Sequence, residues 1–325
     1  MESIKVSKNI NIFGKEVMVK NYYCSENCNP YEEKEKPLKI RLSITPTSFC
    51  GAACPFCVAS GTTDKKDCLD TKKLKTVLTE LHRKNVISGI GITGGEPFTD
   101  ILLLNEIVEM IFDIFGLEIE ISINTNGIGL HKLEQIKRYL FIHAIHISRH
   151  HYDDKLNRKY FGTVVPGEEE LKEIVGKVKD KRLFVFNCLL LRDGIGSSGE
   201  IKNFLEFAGR VGVPKVGFIT PMVINPYTEK NQVSYRELFD RKDPAFLFTN
   251  GYQDFGFCHC IDGVYATEDG RLIKIYGRET GCATAEYARG LVYTADNKLK
   301  TGYGRDAIVI YEEKQARGET RICFS

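Results

Sequence analysis

Leu38-Lys-Ile-Arg-Leu-Ser-Ile-Thr45 and, just beyond it, Ser48-Phe-Cys50-Gly-Ala-Ala-Cys54-Pro-Phe-Cys57 are the stretches on which the fold turns. In the first, Leu38, Ile40, Leu42 and Ile44 alternate with Lys39, Arg41, Ser43 and Thr45. That is the period of two of a strand with unlike faces. The second places three cysteines, spaced C-x3-C-x2-C, directly after that strand.

Working outward, five more runs have strand character: Ser88–Thr93, Leu117–Asn124, His143–Ser148, Phe184–Leu190 and Lys215–Thr220. Helical runs separate them: Asp70–Arg83, Ile101–Phe115, Leu130–Tyr139, Glu168–Val178 and Gly199–Val211. Thr99 or Asp100 can cap the second helix, and Ser197-x-x-Glu200 offers a capping box for the last. Strands alternating with helices predict parallel strands joined by right-handed crossovers, in an open doubly wound sheet or a curved partial barrel. The strand faces favour the barrel. Parallel strands buried on both sides read as continuous apolar runs. Here one side stays polar, as Glu118, Glu120, Ser122 and Asn124 show, and again His146 and Ser148. Helices on the apolar side leave the polar side to line a lumen, whereas a packed barrel fills it with branched apolar residues. The fold class expected is α/β, a partial (β/α)6 TIM-like barrel. An antiparallel sheet with one wet face is the alternative, which the intervening helices disfavour. Residues 1–37 read as an N-terminal extension, 38–225 as the barrel, and 226–325 as a β-rich C-terminal region packing on it.

The 325 residues suffice for a large core, and 42% hydrophobic with 27% charged residues is ordinary for a globular protein. A net charge of +2 gives no electrostatic case for nucleic acid or a membrane surface, and neither is expected as a partner. The longest apolar run, Ile101–Phe115, is broken by Asn105, Glu106, Glu109 and Asp113, short of the roughly 18–20 residues that span a bilayer. Met1–Lys8 lacks the apolar stretch of a secretory signal, so a cytoplasmic location is expected. Glu32–Lys36 reads as a solvated linker, Asn225–Gly256 as irregular, and Val264–Tyr276 as a hairpin turning at Glu268-Asp269-Gly270.

Eleven cysteines in such a chain read as metal ligands or buried thiols before disulfides. Cys50, Cys54 and Cys57 can fold around one [4Fe–4S] cubane and ligate three of its irons. The fourth iron then has no local ligand, and an open position marks a catalytic centre rather than a structural one. The loop follows a strand's C-terminal end, where β/α barrels carry their active sites. Zinc would want a fourth Cys or His nearby, and no cysteine follows before Cys68.

This motif in this place resembles the radical S-adenosylmethionine (SAM) superfamily, and the resemblance extends over about Leu38–Pro221. Thr93-Gly94-Gly95-Glu96-Pro97 is similar to the family's GGEP-type motif. The resemblance implies that Gly94 and Gly95 let backbone approach the methionine part of SAM and that Glu96 accepts from its α-ammonium, with Pro97 in the same motif. Asn124-Thr-Asn-Gly127 resembles a further stretch of the SAM site. Ser148 looks like the family's ribose contact, Phe56 like the aromatic bordering adenine, and Arg192 like a polar contact to SAM. Within the superfamily the resemblance runs to the GTP cyclase of molybdopterin synthesis and its relatives. It rests on Leu190–Met222, with Glu200 and Phe218-Ile-Thr-Pro-Met222, and on Phe257-Cys-His-Cys260 followed by Glu268-Asp-Gly-Arg-Leu272. The tail departs from that subgroup. Cys258 and Cys260 are spaced C-x-C, Ile275 stands where a third ligand of a second cluster belongs, and Cys323-Phe-Ser325 stands where the subgroup has two glycines. These departures argue against GTP cyclisation itself. An auxiliary cluster would have to recruit Cys282, and the balance of the spacing is against it; Cys24 and Cys28 could join Cys258 and Cys260 on zinc or iron.

Ser148-Arg-His-His-Tyr-Asp-Asp154 follows a strand end and should border the site. Arg149, His150 and His151 could bind a phosphate or carboxylate, or move a proton. His146 shares the inner face with Ser148, with a satisfied core histidine as the alternative. His146, Arg149, His150 and Glu120 are therefore the candidate catalytic residues, and Lys39 and Arg41 the candidate substrate contacts. The resemblance implies an enzyme that reductively cleaves SAM to a 5′-deoxyadenosyl radical, with a flavodoxin- or ferredoxin-type electron donor. The polar lumen points to a small polar substrate such as a nucleotide or sugar phosphate. A peptide-modifying enzyme is the rival within the class, though the N-terminal extension shows no separate peptide-binding domain. A zinc-stabilised interaction protein is the rival from another class.

Overall fold

The computed structural model describes residues 4–23, 40–59, 69–234, 238, 263–266, 272–276, 290–303 and 307–312. Lys39, Cys24, Cys28, Cys68, Cys258, Cys260, Cys282, Cys323 and the charged run Glu32–Lys36 lie outside them. The chain opens with a hairpin, β1 (Ile4–Ile12) against β2 (Lys15–Tyr23). Phe13 and Gly14 turn it with positive φ at both positions, which suits the twist of a two-residue hairpin turn. Ile10, Ile12, Val17 and Val19 are buried. The alternation was legible in Asn9-Ile-Asn-Ile-Phe-Gly-Lys-Glu-Val-Met-Val19, but the extension had been read only for its charge.

Six parallel strands follow: β3 (Ile40–Ile44), β4 (Ile87–Ile92), β5 (Glu120–Thr125), β6 (Ala144–Ser148), β7 (Phe184–Leu189) and β8 (Lys215–Ile219). The crossovers carry α1 (Thr71–Arg83), α2 (Ile101–Phe115), α3 (Asp154–Phe161), α4 (Glu168–Lys177) and α5 (Ser198–Val211), and α6 (Pro226–Asn231) follows β8. Every helix except α4, whose N-cap is Gly167, begins at a residue whose side chain accepts orphan backbone N–H groups. Asp70 caps α1, Asp100 caps α2, Asp153 caps α3 and Ser197 caps α5. The apolar strand faces are fully covered: Leu42, Ile92, Ile121, Ile145 and Phe186 pack in one core with Leu78 of α1, Ile107 of α2 and Phe204 of α5.

The remaining strands join the same sheet at both edges. β9 (Gly263–Ala266) pairs antiparallel with β10 (Leu272–Tyr276), which lies parallel to β8. At the other edge β11 (Gly290–Tyr293) lies parallel to β3 and is extended by β12 (Lys298–Lys300) and β13 (Val309–Glu312). Among the described residues the order is β13-β12-β11-β3-β4-β5-β6-β7-β8-β10-β9, ending at β13 and β9 without closing on itself, so the fold is α/β with an open sheet rather than a closed barrel. The first hairpin docks at the β13 edge, where Phe13 meets Tyr311 at 4.3 Å and Lys15 Nζ donates to the Val309 carbonyl at 2.7 Å.

Leu130–Tyr139, expected as a helix, forms two short 3-10 stretches, Leu130–Gln135 and Tyr139–Phe141. Leu130, Leu133 and Ile136 are buried at intervals of three, the repeat of a 3-10 turn. Helix α3 was not expected. Its signals, the cap Asp153 and the left-handed Gly162 after its last residue, lay in a stretch read only for its chemistry.

Candidate active site

The cysteine loop is clamped between strand ends. Gly95 N–H donates to the Thr47 carbonyl at 3.0 Å and Glu96 N–H to the Phe49 carbonyl at 2.9 Å. On the far side Ala53 N–H donates to the Phe161 carbonyl at 2.7 Å, and Asn225 Nδ2 reaches the Pro55 carbonyl at 2.7 Å. The two glycines are explained by this clamp. A Cβ on Gly95 would stand 2.0 Å from the Phe49 oxygen, and one on Gly94, whose φ is +115°, 2.2 Å from Thr45 Cγ2. The close approach that they permit is therefore that of the cysteine loop. Gly95→Ala is expected to break both backbone bonds and shift the loop, at roughly 2–4 kcal/mol. Urea unfolding and iron bound after reconstitution check this, and both should fall together.

Glu96 closes the clamp from below. Its carboxylate, 1% exposed, accepts from Thr125 Oγ1 at 2.7 Å, Asn126 N–H at 2.7 Å and Phe98 N–H at 3.1 Å. Burial outweighs these donors and pushes its pKa from 4.5 up to about 7. The folded state thus holds a proton that the unfolded chain releases. The contribution of Glu96 to the stability of the metal-free protein is then fully present below pH 4.5, is lost as pH rises to about 7, by on the order of 3 kcal/mol, and is flat above that. The slope should be absent in Glu96→Gln, measured by urea unfolding across pH 5–8.

Asn126 follows from the same clamp. With its backbone held by Glu96 and its Oδ1 accepting from Ile128 N–H at 2.9 Å, its Nδ2 stands 3.7 Å from Cys50 Sγ. Within the Asn124-Thr-Asn-Gly127 run, where the resemblance singles out Asn124, the structure turns Thr125 and Asn126 to Glu96 and Cys50. Asn124 lies on the inner face in register with His146, and Ser148 with Asn187. Phe56 is buried, edge-on to His150 at 4.7 Å, with Tyr160 at 6.1 Å and Tyr227 at 6.4 Å. Both tyrosine hydroxyls donate to Asp193, and burial followed by that carboxylate pushes each pKa well above the usual phenol value, so both stay protonated.

The three thiols are half-buried. Burial, then the neighbouring Cys57 and Cys50, pushes Cys54 up to about 12, and burial also raises Cys50. Three thiolates side by side need a cation to neutralise them, and a loop of this spacing fits a cubane that takes one thiolate on each of three irons. A single ion sets a different requirement, and among the described residues no three His, Cys, Asp or Glu side chains are grouped to hold one.

Two expected site residues, Arg41 and Glu120, stand away from the cysteine loop, and two more, Arg149 and His150, are buried in structural roles beside it. Arg41 and Glu120 have the inward parity expected, but they pair across Gly89 in the row at the N-terminal ends of the strands. Arg41 lies four residues, about 13 Å of strand, below Thr45, the strand end from which the chain runs on to the cysteine loop. Its ion pair with Glu120 is 3.3 Å long with side chains 50% and 64% exposed. Arg149 is 1% exposed, and its guanidinium donates to the His151, Tyr152 and Pro166 carbonyls and to Asp154, so it ties backbone together. His150 is buried with Nδ1 accepting from Leu189 N–H at 3.2 Å, and burial lowers its pKa to about 3, so the ring is uncharged at neutral pH with its proton on Nε2. Arg192 is exposed and His146 half-buried on the inner face of β6.

The model of the Radical SAM superfamily matches residues 44–208, about half of the chain. A curated relative from Sulfurisphaera tokodaii, described as a probable GTP 3′,8-cyclase, is 24% identical over 272 residues, 80% of each chain. A second, of the same description from Pyrococcus abyssi, is 28% identical over 174 residues, 52% of this chain and 53% of its own. The crystal structure of SuiB from Streptococcus suis bound to S-adenosylmethionine aligns with a TM-score of 0.53 at 16% identity, covering 83% of this chain and 62% of SuiB. SuiB bound to its precursor peptide SuiA aligns with a TM-score of 0.52 at 17% identity, over 86% and 67%. At such identity the likeness is one of fold, and in the first alignment this chain spans less than two thirds of SuiB.

Proposed function

The chain belongs to the radical SAM superfamily, an enzyme class that uses SAM and a [4Fe–4S] cluster, and from that premise we propose that it abstracts hydrogen from a small polar substrate, a nucleotide or sugar phosphate in class. The observation that carries the substrate class is the inner face of the sheet. Ser43, Gly91, Ser122, Asn124, His146, Ser148 and Asn187 share the same parity on β3 to β7, so hydrogen-bonding groups rise from mid-strand to the cysteine loop. The relatives described as GTP 3′,8-cyclases support a nucleotide-like ligand. The C-x-C pair and Ile275 keep GTP itself from being the first choice.

In this reading Cys50, Cys54 and Cys57 would hold three irons of the cluster. When bound, cluster and SAM together supply a 5′-deoxyadenosyl radical. The chain's own residues position and shield. Asn126 donates to the sulfur of Cys50, and Glu96 fixes the turn that presents it. Phe56, Tyr160, Leu191 and Tyr227 form an apolar wall on the Cys54 side that excludes water. Neutral His150 supports that wall by packing on Phe56 and Phe161.

Anaerobic reconstitution followed by reduction tests the reading, with about four irons and four sulfides per chain expected. Deuterated nucleotides and sugar phosphates should transfer deuterium into 5′-deoxyadenosine. Transfer only from peptides would replace this reading by peptide modification. A colourless protein holding zinc alone would sink the enzyme.

A further inference from the structure

We propose that the exposed cationic face of α3, beside the cysteine loop, is the docking surface for an acidic one-electron carrier protein. The proposal deepens the reading above and rests on it, because cleavage of a sulfonium demands an electron from outside the chain. In the step, the carrier is oxidised by one electron and the cluster reduced by one, with no bond made or broken and no proton moved.

Position is the first argument. The last residue of α3, Phe161, accepts the Ala53 N–H within the cysteine loop at 2.7 Å. Phe161, Ala52 and Val165 form one small buried group, and Cys50, Cys54 and Ile128 pack against it. The outer surface of α3 is therefore one layer of side chains from two of the three cluster ligands.

Charge is the second. Lys155, Arg158 and Lys159 recur at helical spacing, are exposed, and make no ion pair among the described residues. Some cations on other helices are neutralised locally, as Arg83 pairs with Glu80, and Lys172 and Arg210 with Glu168; Lys72 and Lys75 of α1 are exposed and without an ion pair among the described residues, so what sets α3 apart is its packing against the cysteine loop. The helix dipole accounts for Arg158 and Lys159 in the last turn, whereas Lys155 in the first turn is balanced by the N-cap carboxylate of Asp153, so Arg158 and Lys159 carry the charge argument. The third argument is the rim. Leu156, Val58 and Val164 are 43%, 50% and 72% exposed around the same loop. Cations that steer an encounter, around a few apolar contacts that release easily, suit a short-lived electron-transfer complex rather than a permanent interface.

The test uses the reconstituted holoenzyme and follows bleaching of the cluster by reduced flavodoxin or by dithionite. Arg158→Glu/Lys159→Glu is expected to slow flavodoxin-driven reduction at least about tenfold at low salt, a gap that closes towards 0.5 M salt, with the dithionite rate unchanged. Lys72→Glu/Lys75→Glu, the same charge change on α1, should leave both rates alone. If the reversal disturbs α3, Arg158→Gln/Lys159→Gln decides on the same readout with a smaller loss. Equal flavodoxin rates in wild type and the Gln pair would overturn the surface, as would a matching loss with dithionite. A raised KM for phosphorylated substrates with unchanged flavodoxin rates would likewise overturn it and give the cations to substrate. A chain that binds no cluster at all would overturn the function beneath and is read directly from its iron content.

Discussion

Alanine at Cys50, Cys54 or Cys57 is expected to bring both the iron retained after reconstitution and the 5′-deoxyadenosine formed on reduction down to background. Loss of an outer partner costs a metal site roughly 10–100-fold, and loss of a ligand exceeds that. The prediction is sharpened by what the thiols cost each other. With Cys54 pushed up to about 12 by burial and by its two neighbours, the loop carries thiolates only when a cation is there to compensate. Removing one ligand therefore leaves a pair without enough cation, not two-thirds of a site. The fold should survive, because the core runs through the strands and helices rather than through this loop. Cys188→Ala is the matching control. Cys188 is fully buried on β7, outside the loop, and should keep its iron while losing about 1 kcal/mol of stability. Iron content, 5′-deoxyadenosine yield and urea midpoint measured on all four variants separate a ligand from a buried thiol.

What made the site legible was its placement at strand ends. Alternation in Leu38–Thr45 and Leu117–Asn124 reports which side of a strand a residue faces, and the parity of Arg41, Ser122, Asn124 and His146 came out as read. Parity carries no height, however. Arg41 and Glu120 share a face with the residues near the cluster and lie at the wrong end of it. Gly94 and Gly95 show a second limit: a glycine announces a close approach without saying what approaches, and here it is Thr45 and Phe49. The β9–β10 hairpin was legible, but the parallel pairing of β10 with β8 and of β11 with β3 was beyond reach for a different reason. Those strands pair across long stretches of chain, and nothing local in Leu272–Tyr276 or Gly290–Tyr293 specifies a parallel neighbour.

Arg149→Met is the variant in which a substrate contact and a structural tie predict different results. Had Arg149 held substrate, its loss would raise KM and leave the fold intact. Its guanidinium instead donates to three carbonyls and Asp154 and lies 4.7 Å from the Phe207 ring. Methionine fills part of the volume but takes the guanidinium from those carbonyls and leaves Asp154 with only the Glu168 N–H. A loss of roughly 3–5 kcal/mol is expected, towards the lower end because Asp154 is 38% exposed on its side of the pair. Arg149→Lys should not rescue it, since one ammonium cannot reach carbonyls on both sides of a planar fork. The consequence then runs to the cluster. Arg149 fixes the His151 and Tyr152 carbonyls flanking the turn, His150 beside them packs on Phe56 and Phe161, and Phe161 holds Ala53 of the cysteine loop. The urea midpoint should fall first, and iron retention should fall with it as the wall behind Cys54 loosens. A variant with wild-type stability and a raised KM would return Arg149 to the substrate.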